Sequence, residues 1–144
     1  MPEYPALFDP DPLTGGFVVT FPDLPEAITQ GDTEGEAIQN AADVVALCLA
    51  EYMRRKRDIP AARKARGRNH RTVPLPALTE AKISLYMAMR QAGIRKADLA
   101  RKLRCQKSEI DRLLNLTHSS RLDQIERALK ALGKRLALTL EDAA

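Results

Sequence analysis

The side chains best equipped to read a nucleic acid are gathered in one short stretch. Gln106, Lys107, Ser108 and Arg112 include the residue types whose donors and acceptors match base edges in a major groove. Arg95, Lys96 and Arg121 stand where helix ends would meet phosphate. Catalytic chemistry finds fewer footholds. Asp9, Asp11, Asp23 and Asp32 are the carboxylates available to hold the two metal ions of a nuclease. Asp9 and Asp11 lie in a proline-bounded turn, however, and Asp32 belongs to the turn before a helix, so convergent ligands on strand interiors are not evident. His70 and His118 have no Cys or Asp at ligand spacing, and neither a GxSxG elbow nor a glycine-rich phosphate loop occurs. His70 reads as a solvent-facing loop residue, and His118 as a stabiliser of a turn or a phosphate contact. Cys48 and Cys105 are too far apart in sequence for a metal motif and read as buried small apolar residues. No catalytic residue, metal site or cofactor is expected.

Base-reading side chains need a scaffold, and the sequence around them supplies one. A helix-turn-helix requires a small residue where its helices cross, a tight turn four residues later and apolar anchors on the second helix. Ala100 is the small residue, and Leu99, Leu103, Cys105, Ile110 and Leu113 are the anchors. The stretch resembles the DNA-binding helix-turn-helix of phage repressors, with one departure. The turn position, usually glycine, is Arg104, which must accept a positive φ or a different turn. Helices are predicted over Lys96 to Leu103, Lys107 to Leu114 and Leu122 to Leu132. An earlier one is capped by Thr79 and closed by Gly93. Leu136, Leu138 and Leu140 alternate as a terminal strand would.

The first half has another character. Period-two alternation places Tyr4, Ala6 and Phe8, then Phe17, Val19 and Phe21, on single strand faces. Asp9-Pro10-Asp11-Pro12 and Gly15-Gly16 make the connecting turn. A short third strand is expected over Ala27 to Gln30. Thr33-Glu34-Gly35-Glu36 is a capping box opening a helix to about Arg55, whose stripe of Ile38, Ala41, Ala42, Val45, Cys48, Leu49 and Tyr52 can lie across the sheet. An exposed, mobile basic connection from Arg54 to Arg71 follows, and Thr72 to Pro76 could return as an edge strand.

Charge separates these halves. Residues 1–52 contain no Lys or Arg and ten acidic residues, a net of −10, whereas residues 53–144 carry all 23 basic residues against nine acidic ones, a net of +14. Two partners are implied, a polyanion for the basic part and a cationic one for the acidic part. The chain has 144 residues, 44% of them apolar and none of them Trp. This suits one globular unit or two small ones, with no stretch long enough to span a bilayer. The N-terminal residues show no signal-peptide pattern, so a cytoplasmic location is expected.

Tyr4-Pro5-Ala6, Gly15-Gly16-Phe17-Val18-Val19, Phe21-Pro22-Asp23-Leu24-Pro25-Glu26-Ala27 and Thr29-Gln30-Gly31-Asp32-Thr33 resemble the N-terminal signature of HicB antitoxins. Leu75, Lys82, Asp98-Leu99-Ala100-Arg101, Arg112-Leu113, Leu116, His118 and Ala131-Leu132-Gly133-Lys134 are similar to the subgroup that carries a C-terminal helix-turn-helix. The resemblance implies an α+β protein: a partial RNase H-like sheet with one long helix over residues 1–77, then an all-α operator-binding domain over 78–144 with a possible terminal strand. It also implies that the first domain neutralises a small RNA-cleaving toxin, HicA, with Tyr4, Phe21, Pro22, Asp23, Leu24 and Pro25 as candidate contacts. Operator double-stranded DNA is the second partner, bound by a homodimer or dimer of dimers. The competing readings are a stand-alone helix-turn-helix regulator and a metal-dependent nuclease.

Overall fold

A computed structural model describes residues 1–63 and 67–143. The chain divides into two compact units, Met1–Thr79 and Glu80–Ala144.

The first unit is a four-stranded antiparallel sheet covered by one helix. β1 (Pro5–Pro10) pairs with β2 (Phe17–Thr20), with Phe8 opposite Val19 and Leu7 opposite Thr20. β3 (Ile28–Gly31) extends the sheet from β2, and β4 (His70–Thr72) from the other edge of β1, in the order β3-β2-β1-β4. The alternation of the sequence sorts the two faces. Ala6, Phe8 and Val19 are buried, while Val18 and Ile28 on the opposite face are exposed. α1 (Glu34–Arg54) lies against β3 and β2 and buries Ala37, Ala41, Val45, Cys48 and Leu49. Its start is capped as expected: the Glu36 backbone N–H donates to Thr33 Oγ1 at 3.1 Å, and the Glu36 carboxylate accepts from the Asp32 backbone N–H at 3.3 Å.

Small residues let the layers approach closely. A Cβ on Gly31 would fall 2.6 Å from Ala37 Cα, and one on Gly16 would fall 2.5 Å from the Gly31 carbonyl. The open edge of the sheet is closed by Arg71, whose guanidinium lies 4.4 Å from the Phe8 ring centroid and pairs with Glu34 on α1 at 2.5 Å.

Several boundaries differ from the sequence reading. The edge strand is His70–Thr72 rather than Thr72 to Pro76, because Pro74 and Pro76 have no N–H for a ladder. His70 therefore belongs to a strand opposite Leu7 and is half-buried. The connection after α1 is tied down in part: Tyr4 OH donates to the Pro60 carbonyl at 2.6 Å, and the Arg63 backbone N–H donates to Asp23 Oδ2 at 3.0 Å. The part of the expected mobile connection at 64–66 lies outside the described residues.

The second unit is helical. α2 (Ala77–Ala92) starts directly after Pro76 and so earlier than the Thr79 cap expected, proline being well suited to a helix start. α3 (Lys96–Leu103), α4 (Lys107–Leu114) and α5 (Leu122–Ala131) follow. Leu99, Leu103, Ile110, Leu113, Ile125, Ala128 and Leu129 form the core, and α3 packs against both α4 and α5. The terminal strand is absent among the described residues. Leu138 is 75% and Leu140 100% exposed, with no neighbouring strand to supply backbone partners.

The close approach at Gly31 sets a paired test. Gly31→Ala should destabilise the protein by about 3 kcal/mol, since helix backbone cannot yield to a methyl group. Gly35→Ala, with open space around its Cβ inside α1, should stabilise it by about 0.5–1 kcal/mol. Chemical denaturation of the two variants checks the difference in sign.

Candidate functional site

α4 is built to turn one face inward and leave the other free. Ile110 and Leu113 are buried, while Gln106, Lys107, Ser108 and Arg112 are exposed. Gln106 is the N-cap, and its backbone N–H donates to Glu109 Oε2 at 3.2 Å. The equivalent contact opens α3, where the Arg95 backbone N–H donates to Asp98 Oδ2 at 3.0 Å. That hydrogen bond, helped by the Arg95 and Arg101 side chains, holds the Asp98 carboxyl below its ordinary value. A carboxyl depressed on folding stabilises the fold above its unfolded pKa and loses that contribution as the pH falls through the folded value.

The turn between α3 and α4 resolves the departure noted at Arg104. This residue is left-handed, with φ 54° and ψ 46°. The Cys105 backbone N–H donates to the Ala100 carbonyl at 3.0 Å and the Arg104 N–H to the Arg101 carbonyl at 3.2 Å, which closes the C-terminus of α3. The Arg127 guanidinium on α5 donates to the Leu103 carbonyl at 3.1 Å and fastens the same helix end. Cys105 is half-buried rather than enclosed, and burial still pushes its thiol up.

The three cations assigned to phosphate are engaged with internal carboxylates. Lys96 pairs with Asp111 at 2.8 Å across α3 and α4, Arg121 with Asp123 at 2.7 Å, and Arg95 with Asp98 at 3.4 Å. Exposed pairs of this kind contribute only about 0–1 kcal/mol, so the cations exchange partners at small cost. His118 is exposed, and its Nδ1 lies 2.9 Å from Ser120 Oγ, so it stabilises the turn after α4.

In the first unit the structure separates the candidate contacts into two groups. Tyr4, Phe21 and Leu24 are buried and belong to the core, whereas Pro22 and Pro25 are exposed. Asp23 lies between them, its side chain 2% exposed and paired with Arg63 Nε at 3.0 Å. Asp11 accepts from the Leu13 backbone N–H at 2.9 Å and serves the hairpin turn. Nearby, burial and the Glu26 carboxylate push the Cys48 thiol up to about 11, while a hydrogen bond from Tyr52 holds Glu26 below its usual range. Among the described residues no group of three or more His, Cys, Asp or Glu stands together to hold a metal ion, and no helix is long and apolar enough to cross a membrane.

One residue of the second unit matches the family pattern but has a placement that the sequence does not show. Lys82 is completely buried, although a lysine between Ala81 and Ile83 carries no outward sign of it. Comparison with known proteins adds a second line of information. Residues 3–84 match the family model described as HicB_like antitoxin of bacterial toxin-antitoxin system. The chain is 36% identical over 137 residues to Antitoxin HicB of Escherichia coli (strain K12), covering 95% of this chain and 98% of that protein. It is 39% identical over 135 residues to Antitoxin HicB 2 of Photorhabdus laumondii subsp. laumondii, with 94% of each covered. Antitoxin HicB of Pseudomonas fluorescens is 37% identical over 121 residues, 84% of this chain and 83% of its own length.

The left-handed arginine gives the prediction of this site. Arg104→Gly should stabilise the chain by about 1 kcal/mol, because glycine adopts this conformation without a Cβ penalty. An unchanged or lower denaturation midpoint would show that the Arg104 side chain compensates for its backbone.

Proposed function

The chain belongs to the HicB-like antitoxin family, and from that premise we propose an antitoxin that neutralises a small, RNA-cleaving HicA-type toxin and represses its own operon. The observation that carries the toxin half is the absence of any Lys or Arg from residues 1–52, which span the hairpin, β3 and nearly all of α1. A protein that grips RNA is basic, and such an acidic surface complements it. The contact is centred on exposed Pro22 and Pro25 with Asp23 between them, and Tyr4, Phe21 and Leu24 support it from below.

The operator half rests on the exposed face of α4. In this reading α3 and α4 form a helix-turn-helix, with Gln106, Lys107, Ser108 and Arg112 toward base edges and Arg95, Lys96 and Arg121 toward phosphates. Residues 80–144 carry 14 basic and eight acidic side chains, a net of +6, in keeping with a polyanionic partner. One such motif reads few base pairs, so a symmetric homodimer or dimer of dimers occupies paired half-sites. The protein acts in the cytoplasm, where toxin and operator both lie, and needs no catalytic activity of its own.

Two experiments test the halves separately. Co-expression of the full chain with a HicA-type toxin should relieve growth arrest, and the double variant Pro22→Arg, Pro25→Arg should fail to do so while remaining folded. Undiminished rescue would move the contact elsewhere. For the operator half, Arg112→Ala should weaken binding to the chain's own promoter duplex by about 1–3 kcal/mol if it reads a base. Arg121→Ala should weaken all duplexes alike and lower the slope of log affinity against log salt by about 0.9. Equal affinity of the unaltered chain for promoter and random duplex would reject operator recognition.

A further inference from the structure

Lys82, near the start of α2, is the largest fully enclosed side chain of the protein, with 0% of its surface exposed. Its Nζ donates to the backbone carbonyl of Arg112 at 2.8 Å and to Ser120 Oγ at 2.7 Å. Ser120 is itself buried; its Oγ lies 3.3 Å from the same Arg112 carbonyl and 2.9 Å from His118 Nδ1. Burial alone drives the Lys82 pKa down, and among the described residues no carboxylate pairs with it. An amine taken out of water without a counter-charge is poor value as a stabilising device, since an apolar side chain of equal length would fill the space without desolvation. Its return is geometric.

Both acceptors sit at places that decide where α4 points. Arg112 is in the last turn of α4, where its carbonyl accepts from the Asn115 backbone N–H at 3.2 Å as well as from Lys82, and a cation there is also favoured by the helix dipole. Ser120 ends the turn that follows α4 and immediately precedes Arg121, the N-cap of α5. A single ammonium thus ties α2 to the end of one helix and the approach to the next. The side chains of Arg112 and Arg121, one from each tied segment, are exposed.

We propose that Lys82 is a positioning residue for operator recognition: by holding the Arg112 carbonyl and the Ser120 hydroxyl from inside, it fixes the pose of α4 and of the turn 115–121, so that Arg112 and Arg121 engage one duplex together. This rests on the operator-binding reading given above. Apolar packing through Ile110 and Leu113 sets the depth of α4, but a greasy contact permits sliding and rolling. Two directional hydrogen bonds to one buried donor do not.

The test uses the full chain with Lys82→Met, which keeps the length of the side chain and removes its donors, and Ser120→Ala, which removes one acceptor and serves if the first variant does not fold. Amide hydrogen exchange over residues 110–121 should accelerate at least tenfold, while exchange in α1 stays unchanged. The ratio of affinity for the chain's own promoter duplex over a random duplex should fall at least tenfold, with affinity for the random duplex falling no further than in Arg121→Ala, a pattern that general destabilisation would not produce. Unchanged exchange would overturn the clamp, and faster exchange with the ratio preserved would overturn its role in recognition. If the unaltered chain shows no preference for its promoter, the operator reading fails and the positioning role in recognition falls with it, while the exchange measurement still decides whether Lys82 holds α4.

Discussion

The first unit is organised around a place where two backbones meet with no side chain between them. Gly31 ends β3 against Ala37 in the first turn of α1, and the spacing leaves no room for a methyl group. That contact determines where the helix crosses the sheet. Ala41, Val45, Cys48 and Leu49 then form the buried face of the helix, which lies against β3 and β2. With aromatic residues making up only 4% of the chain, such close approach is how a small core reaches adequate density. The helix is thereby committed on one face and free on the other, which is where its acidic residues are carried.

The second unit solves the same shortage of core with directional contacts. Helices of eight residues, such as α3 and α4, have little stability of their own. Their ends are therefore fastened from outside: Arg127 holds the end of α3, Lys82 the end of α4, and Asp98 and Glu109 satisfy the N-terminal amides. Electrostatics in this unit is as much about helix ends as about a partner.

Much of this was legible in the sequence because it is periodic. Alternation marks β1 and β2, the three-four stripe marks α1, and the spacing from Ala100 to Leu113 marks α3 and α4 with their bounds. The failures have physical reasons too. β4 has no apolar alternation, since only its pairing with β1 and the reach of Arg71 over Phe8 make it a strand. Leu136 to Leu140 has the alternation but no neighbour to bond with. The burial of Lys82 was invisible because nothing local distinguishes a lysine that snorkels to water from one that a remote serine and carbonyl retain. The internal ion pairs of the second unit were equally hidden, as those described, apart from Lys96–Asp111, join residues so close in sequence that charge alone does not say whether they meet.

Those ion pairs alter how the basic half is sensed from a distance. A cation facing its own carboxylate is a dipole, and its potential dies away faster than that of a bare charge. Beyond a Debye length of about 10 Å at moderate salt it is scarcely felt. Among the described residues Lys107 and Arg112 form no ion pair, whereas Lys96, Arg95 and Arg121 do. Lys107 and Arg112 therefore contribute to the long-range field around α4 as bare charges, whereas the paired cations act at contact range. For the proposed polyanionic partner, the paired cations would count only once contact is made.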